Sequence, residues 1–227
     1  WIDRGGTFTD IVARDPDGAL HRAKLLSENP ERYVDAALHG IRGFLGLGPD
    51  AAIPAAAVAS VKMGTTVATN ALLERKGEPL VLVTTQGLGQ QLRLAYQNRP
   101  RLFDRRITLP EMLYARVIEA RERVRADGVV EVPLNAGHLA AALAEARAAG
   151  LDACAIVFVH GYRHRAHEAA AAALARATGF AQVSVSHEVS PLMRMVRRGD
   201  TTVVDAYLTP ILRRYVDRVA AAFEGDM

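Results

Sequence analysis

Asp3-Arg4-Gly5-Gly6-Thr7-Phe8-Thr9-Asp10 lies between two short apolar runs at the start of the chain, and the fold turns on how it is read. The residue types are those of a loop that holds nucleotide phosphates. Paired glycines admit backbone conformations closed to other residues and let an anion come up against the main chain. Successive bare N–H groups make an anion nest, and threonine hydroxyls donate to phosphate oxygens. Asp3, a hard oxygen donor at the end of a predicted strand, suits hydrated Mg2+. An ordinary Gly-Gly hairpin turn uses the same glycines, so the motif alone leaves both readings open.

A second segment, Gly64-Thr65-Thr66-Val67-Ala68-Thr69-Asn70-Ala71-Leu72-Leu73-Glu74-Arg75-Lys76-Gly77, adds weight. It follows an apolar stretch predicted as a strand over 58–63 and opens a helix predicted over 66–74. A glycine, two threonine hydroxyls and the free N–H groups of a helix start then come together, as at oxyanion sites. Capping of the helix by Thr65 or Thr66 is the plainer alternative.

Working outward, the chain reads as α/β. Residues 2–5, 7–13 and 20–26 are predicted as three consecutive strands, the second turn falling at Asp15-Pro16-Asp17-Gly18. Asn29-Pro30 is predicted to cap a helix with Val34, Leu38, Ile41 and Leu45 on one face. A strand over 80–84 follows. Residues 86–130 carry prolines and many arginines and read as an insertion or a lid. Alternation resumes with a strand over 129–132 and a helix from Asn135 striped by Leu139, Ala142, Leu143 and Ala146. Then come a strand over 153–159, a helix over 166–177 stopped by Gly179, and a strand over 182–186. A last helix runs from Met195 through Leu208, Ile211, Leu212, Tyr215 and Val219. Ser190-Pro191 is the best boundary between domains.

With these blocks in view the chain resembles the N-terminal part of the hydantoinase A/5-oxoprolinase family, closest to its single-chain 5-oxoprolinase branch. The likeness rests on the 3–10 and 64–77 blocks. It continues through Lys24-Leu25-Leu26-Ser27-Glu28, Asn98-Arg99-Pro100, Leu102-Phe103-Asp104, His167-Glu168, Arg198-Gly199-Asp200-Thr201 and Asp205-Ala206-Tyr207-Leu208-Thr209-Pro210. One departure is Leu88-Gly89-Gln90, where the family commonly carries an aspartate.

The resemblance implies an actin-like ATPase (ribonuclease H-like) N-terminal domain with mixed sheets over 1–190. The truncated helical start of the following hydantoinase A domain then occupies 191–227. It implies ATP and Mg2+ as cofactors, a small-molecule lactam as substrate, and opening of 5-oxo-L-proline to L-glutamate with ATP hydrolysis. Gly5, Gly6, Thr7, Thr9, Gly64, Thr65 and Thr66 would handle phosphate, Thr69, Asn70 and Glu74 would face the cleft, and Asp3, with Asp10 through water, would hold the metal. Arg4 would counter charge on the transferred phosphoryl group, making Asp3 and Arg4 the catalytic candidates. A homo-oligomer, or pairing with a hydantoinase B-like part, is expected. No second Gly-Gly-Thr loop follows, so the chain is expected to be a fragment inactive alone, with its C-terminal apolar stripe uncovered. Hydantoinase-type and acetone-carboxylase-like subunits are the neighbouring alternatives. A sugar-kinase-like protein and a non-catalytic relic are the others.

Composition fits this picture. With 227 residues, half of them hydrophobic, the chain can bury one large core or two small ones. The formal charge is only +3, and Arg116, Arg121, Arg123 and Arg125 alternate with Glu119, Glu122 and Asp127, which argues against a nucleic-acid face. Arg194, Arg197 and Arg198 read as a solvated or inter-domain surface, with contact to a polyphosphate as the alternative. No run is long and apolar enough to span a bilayer, so no membrane role is expected and a cytoplasmic location is. The single cysteine, Cys154, sits in an apolar run and reads as a buried structural thiol. His160, His164, His167 and Glu168 are close in sequence, but their spacing is poor for a metal site on one helical face. The resemblance implies a strand-end loop near the inter-domain cleft here, where His167 could position substrate; capping of the helix is the plainer alternative.

Overall fold

The first three strands form around the motif as the pattern requires. The computed structural model describes residues 1–98, 101, 103 and 105–224. Arg99, Pro100, Leu102 and Asp104 of the family blocks lie outside the described residues, as do residues 225–227. The elements in chain order are β1 (Ile2–Arg4), β2 (Phe8–Arg14), β3 (Leu20–Leu26), α1 (Ala36–Leu45), β4 (Ile53–Pro54), β5 (Met63–Thr65) and α2 (Val67–Leu73). Next come β6 (Leu80–Thr85), α3 (Gln91–Leu94), β7 (Arg116–Ala120), β8 (Arg123–Val124), β9 (Val130–Val132), α4 (Ala136–Ala148) and β10 (Ala153–Val157). The chain continues through α5 (Ala166–Ala177), β11 (Gln182–Val185), α6 (Ser186–Val189), α7 (Met195–Ala220) and β12 (Phe223–Glu224). Two compact units result, Trp1–Lys76 with Ile211–Met227, and Gly77–Pro210. Among the described residues no helix is long and apolar enough to cross a membrane.

The first unit is built on a mixed sheet of order β3-β2-β1-β5, antiparallel except for the β1–β5 pair. Period-two alternation sends Ile2 and Ile11 inward to Leu38 and Ile41 of α1, and Asp3 and Asp10 outward. Three expectations need correction here. Helix α1 begins after Asp35, whose carboxylate accepts from the Leu38 N–H at 3.1 Å, whereas Asn29 starts a local turn that leaves Val34 87% exposed. The strand predicted over 58–63 is displaced to Met63–Thr65, because the pairing that defines it is with β1. The C-terminal stripe is not uncovered: Tyr215 is buried and Val219 packs on the core of Ile2, Ile11, Ile53 and Phe223.

The second unit is a parallel sheet of order β11-β10-β6-β7, covered by α4 and α5. Its core joins Val81, Val83 and Ile156 to Leu139, Leu143 and Ala172. Asn135 caps α4 by accepting from the His138 N–H at 3.0 Å, and α5 occupies Ala166–Ala177, as the pattern predicts. The supposed insertion over 86–130 instead supplies a full strand, β7, whose Ile118 and Ala120 are buried. Cys154 is fully buried and burial pushes its thiol pKa up, which leaves it unreactive.

Arg198 is the largest departure from the predicted surface cluster. It is completely buried. Its guanidinium donates to Ser186 Oγ at 2.9 Å and to the carbonyls of Leu192, Met193, Phe158 and Val159. Glu168, equally buried, accepts from Ser186 Oγ (2.6 Å), the Phe158 N–H (2.8 Å) and His187 Nδ1 (2.7 Å). The two charges are thus joined through one hydroxyl, with most donors and acceptors around them satisfied, as burial of charge demands.

Candidate functional site

The turn between β1 and β2 closes when the Gly5 N–H donates to the Phe8 carbonyl at 3.0 Å. It is tied down from β3: Ser27 Oγ donates to the Gly5 carbonyl at 2.7 Å, and the Ser27 N–H donates to the Thr7 carbonyl at 2.9 Å. Neither Gly5 nor Gly6 takes a left-handed φ. The need for glycine is steric. A Cβ on Gly5 would sit 3.0 Å from the Phe8 carbonyl oxygen, and one on Gly6 would sit 3.1 Å from Asn70 Nδ2. The Asn70 amide of α2 therefore lies over the turn, and the two motifs meet in space.

Register lines up the rest. Gly64, Asp3, Asp10 and Lys24 are successive partners across β5, β1, β2 and β3, so they form one row on the open face of the sheet. Asp3, Asp10 and Gly64 line one shallow recess with Lys62 and Met63. Asp10 is held by Lys24 Nζ at 3.0 Å to each oxygen, while Asp3 makes no ion pair among the described residues. Thr65 Oγ1 accepts from the Val67 N–H at 3.2 Å, one residue ahead of the N-cap Thr66, whose own side chain makes no cap bond to the helix. Thr66 donates to the Arg4 carbonyl through its N–H at 3.0 Å and its hydroxyl at 3.3 Å, which joins α2 to β1. Thr7 and Thr69 are exposed.

Two predicted site residues lie elsewhere. Thr9 is fully buried with its hydroxyl 3.0 Å from Ser27 Oγ, so it supports the turn from below and does not face a ligand. Arg4 leaves β1 on the side opposite Asp3. Its guanidinium stacks over the Tyr215 ring at 4.9 Å with Nε buried and unpartnered, so it does not stand beside Asp3. Burial, with Asp35 adding to it, pushes the Tyr215 hydroxyl pKa up to about 12, against the opposing charges of Arg4 and Arg218. Helix α2 has only seven residues, too short for a strong dipole at its start. Ser27 was missed as a site residue. Its place in the block with Lys24 was the available signal.

The histidines diverge. His160 Nδ1 meets the Val124 carbonyl at 2.7 Å, His164 Nε2 the Ala126 carbonyl at 3.2 Å, and His167 Nδ1 the Glu122 carboxylate at 2.8 Å. Among the described residues no group of His, Cys, Asp or Glu is arranged to hold a metal ion as a set of three.

The 3–10 and 64–77 segments thus meet at an acidic, glycine-containing turn on an open sheet face, overhung by the Asn70 amide. The pattern of the hydantoinase/oxoprolinase N-terminal region matches residues 1–179, and the chain belongs to that family. It is similar to the 5-oxoprolinase of Dictyostelium discoideum, at 37% identity, and to 5-oxoprolinase 1 of Arabidopsis thaliana, at 39%. Each match covers 100% of this chain and 20% of the relative, so the chain spans about a fifth of their length. The crystal structure of the ATP-dependent caprolactamase from Pseudomonas jessenii superposes with a TM-score of 0.76 at 31% identity, over 99% of this chain and 34% of that one.

Proposed function

We propose that the chain is the nucleotide-phosphate-binding part of an ATP-dependent cyclic amide hydrolase whose substrate is 5-oxo-L-proline. The carrying observation is the Gly64-Asp3-Asp10 row beside the Gly5-Gly6 turn. It has the hard oxygen donors that Mg2+ prefers and the bare backbone that phosphate prefers. Family membership and the similarity to 5-oxoprolinases and an ATP-dependent caprolactamase support the reading. An actin-like ATPase fold is inferred, with residues from 191 onward as the helical entry to the next domain.

The unpaired Asp3 carboxylate fits Mg2+ directly, and Asp10, already held by Lys24, fits as an outer partner. The ion would neutralise phosphate charge during transfer. Gly6 and Thr7 would receive phosphate oxygens, Gly5 would close the turn through its N–H to the Phe8 carbonyl, Asn70 would donate its amide from above, and Ser27 and Thr9 would keep the turn in shape. ATP is needed because an unstrained lactam is a poor electrophile; transfer of the γ-phosphoryl group to its amide oxygen makes the ring carbon open to water. Arg4 acts as a prop stacked on Tyr215.

Asp3→Asn in the full-length protein should weaken Mg2+ dependence and slow ATP turnover about 100-fold or more, as loss of a metal-positioning group does. Its melting temperature should change little, since the side chain is exposed and unpaired. Steady-state ADP release titrated with Mg2+, beside a thermal melt, measures both; a variant that keeps its rate and metal dependence would make Asp3 structural. Turnover against 5-oxoproline, hydantoins and larger lactams tests the substrate. Activity confined to a non-lactam carbonyl compound would overturn the assignment.

A further inference from the structure

At the carboxyl ends of β6, β7 and β10, where parallel α/β sheets place their ligands, the second unit holds a hydrogen-bonded chain of polar groups. The Val159 N–H donates to Thr85 Oγ1 at 3.1 Å, and the Thr85 hydroxyl donates to Glu122 Oε1. Glu122 Oε2 is 2.8 Å from His167 Nδ1. Thr85 is 0% and Glu122 3% exposed, whereas the His167 side chain is 14% exposed. A carboxylate is an acceptor only, so Nδ1 carries a proton, and Nε2 is the nitrogen at which a neutral ring would present its lone pair. That nitrogen has no hydrogen-bond partner among the described residues, and the side chain that carries it is partly exposed. The strand-end loops beside it are also anchored: Glu119 accepts from the Gly87 and Gly89 N–H groups, and Arg123 donates to the Gln86 carbonyl.

A purely structural role does not require this arrangement. Apolar side chains fill such a volume at equal or better stability than a buried ionic pair. Here a buried acid and a buried hydroxyl fix one tautomer and one orientation of an imidazole whose working nitrogen is open. We propose that His167, positioned by Glu122 and Thr85, is a proton-transfer residue in a second site at this sheet edge, for a small polar ligand with an exchangeable O–H or N–H. Nε2 takes the proton, the bonding pair stays on the ligand oxygen or nitrogen, and the imidazolium shares its Nδ1–H with Glu122. The proton returns to product or solvent. The inference rests on the proposed lactam-opening reading only for the identity of the ligand.

His167→Ala in the full-length protein should lower 5-oxoproline turnover about 100-fold or more, the usual scale of acid–base assistance, with Mg-ATP affinity by calorimetry within about twofold. Added imidazole should restore at least about tenfold of the lost rate, because the deleted ring leaves a space of its own shape. Glu122→Gln should lower kcat about tenfold or more at little-changed KM for ATP. Turnover per folded molecule within about threefold of wild type, or a loss that imidazole does not rescue, would overturn the proposal. If the wild-type protein opens no lactam, the substrate reading fails while His167 is still tested by diethyl pyrocarbonate with peptide mass mapping. Carbethoxylation of His167, slowed in Glu122→Gln, supports an open, carboxylate-polarised Nε2; an inert His167 overturns it.

Discussion

Gly6→Val should abolish ATP turnover in the full-length protein while leaving it folded. The position has no left-handed φ to lose, so the backbone itself tolerates a side chain. What valine meets is the Asn70 amide, 3.1 Å from its Cβ alone, and its γ-methyls would fill the space above the turn where an anion approaches. Displacing Asn70 relieves the clash at modest cost, since an amide at a partly exposed site can rotate away. Loss of the phosphate's approach cannot be relieved. An ADP-release assay with a thermal melt separates the two effects. Activity within about tenfold of wild type would remove the turn from the site, since transition-state contacts of this kind carry about a hundredfold each.

The second large effect is on stability. Arg198→Ala should destabilise the second unit by about 3–5 kcal/mol, the range for breaking a buried charge pair by removing one partner. The substitution leaves Ser186 Oγ and four carbonyls without their donor and Glu168 without its compensating charge. Arg198→Lys should recover little, because a point-charge ammonium cannot span partners arranged around a planar fork. Arg197→Ala, one residue away and exposed, should stay within about 0.5 kcal/mol. Denaturant midpoints of the three variants decide it; equal effects at 197 and 198 would mean that the network carries no special weight.

What could be read beforehand follows from how local each signal was. The three-strand start, α4 with its Asn135 cap and α5 with its stop at Gly179 are set by short-range periodicity and turn chemistry, and they were legible. Strand β7 was not, since arginines and glutamates flank its apolar residues and an edge strand needs only one covered face. The site was half legible. Residue type marked Asp3, Gly5 and Gly6, but strand parity also lay in the text: with Ile2 and Ile11 inward, Arg4 and Thr9 follow them and Asp3 and Asp10 do not. Burial of Arg198 could not be read, because its acceptors come from segments as much as 40 residues away that no sequence pattern links.

Nucleotide phosphates are proposed to sit on the β1–β2 turn. A crystal structure of the full-length protein with Mg2+ and a non-hydrolysable ATP analogue tests it most directly. Phosphate oxygens are expected within hydrogen-bond distance of the Gly6 or Thr7 main-chain N–H, with the metal beside Asp3 and the Asn70 amide turned toward the anion. Nucleotide bound elsewhere, with the Asp3 to Thr7 segment facing only water, would contradict it.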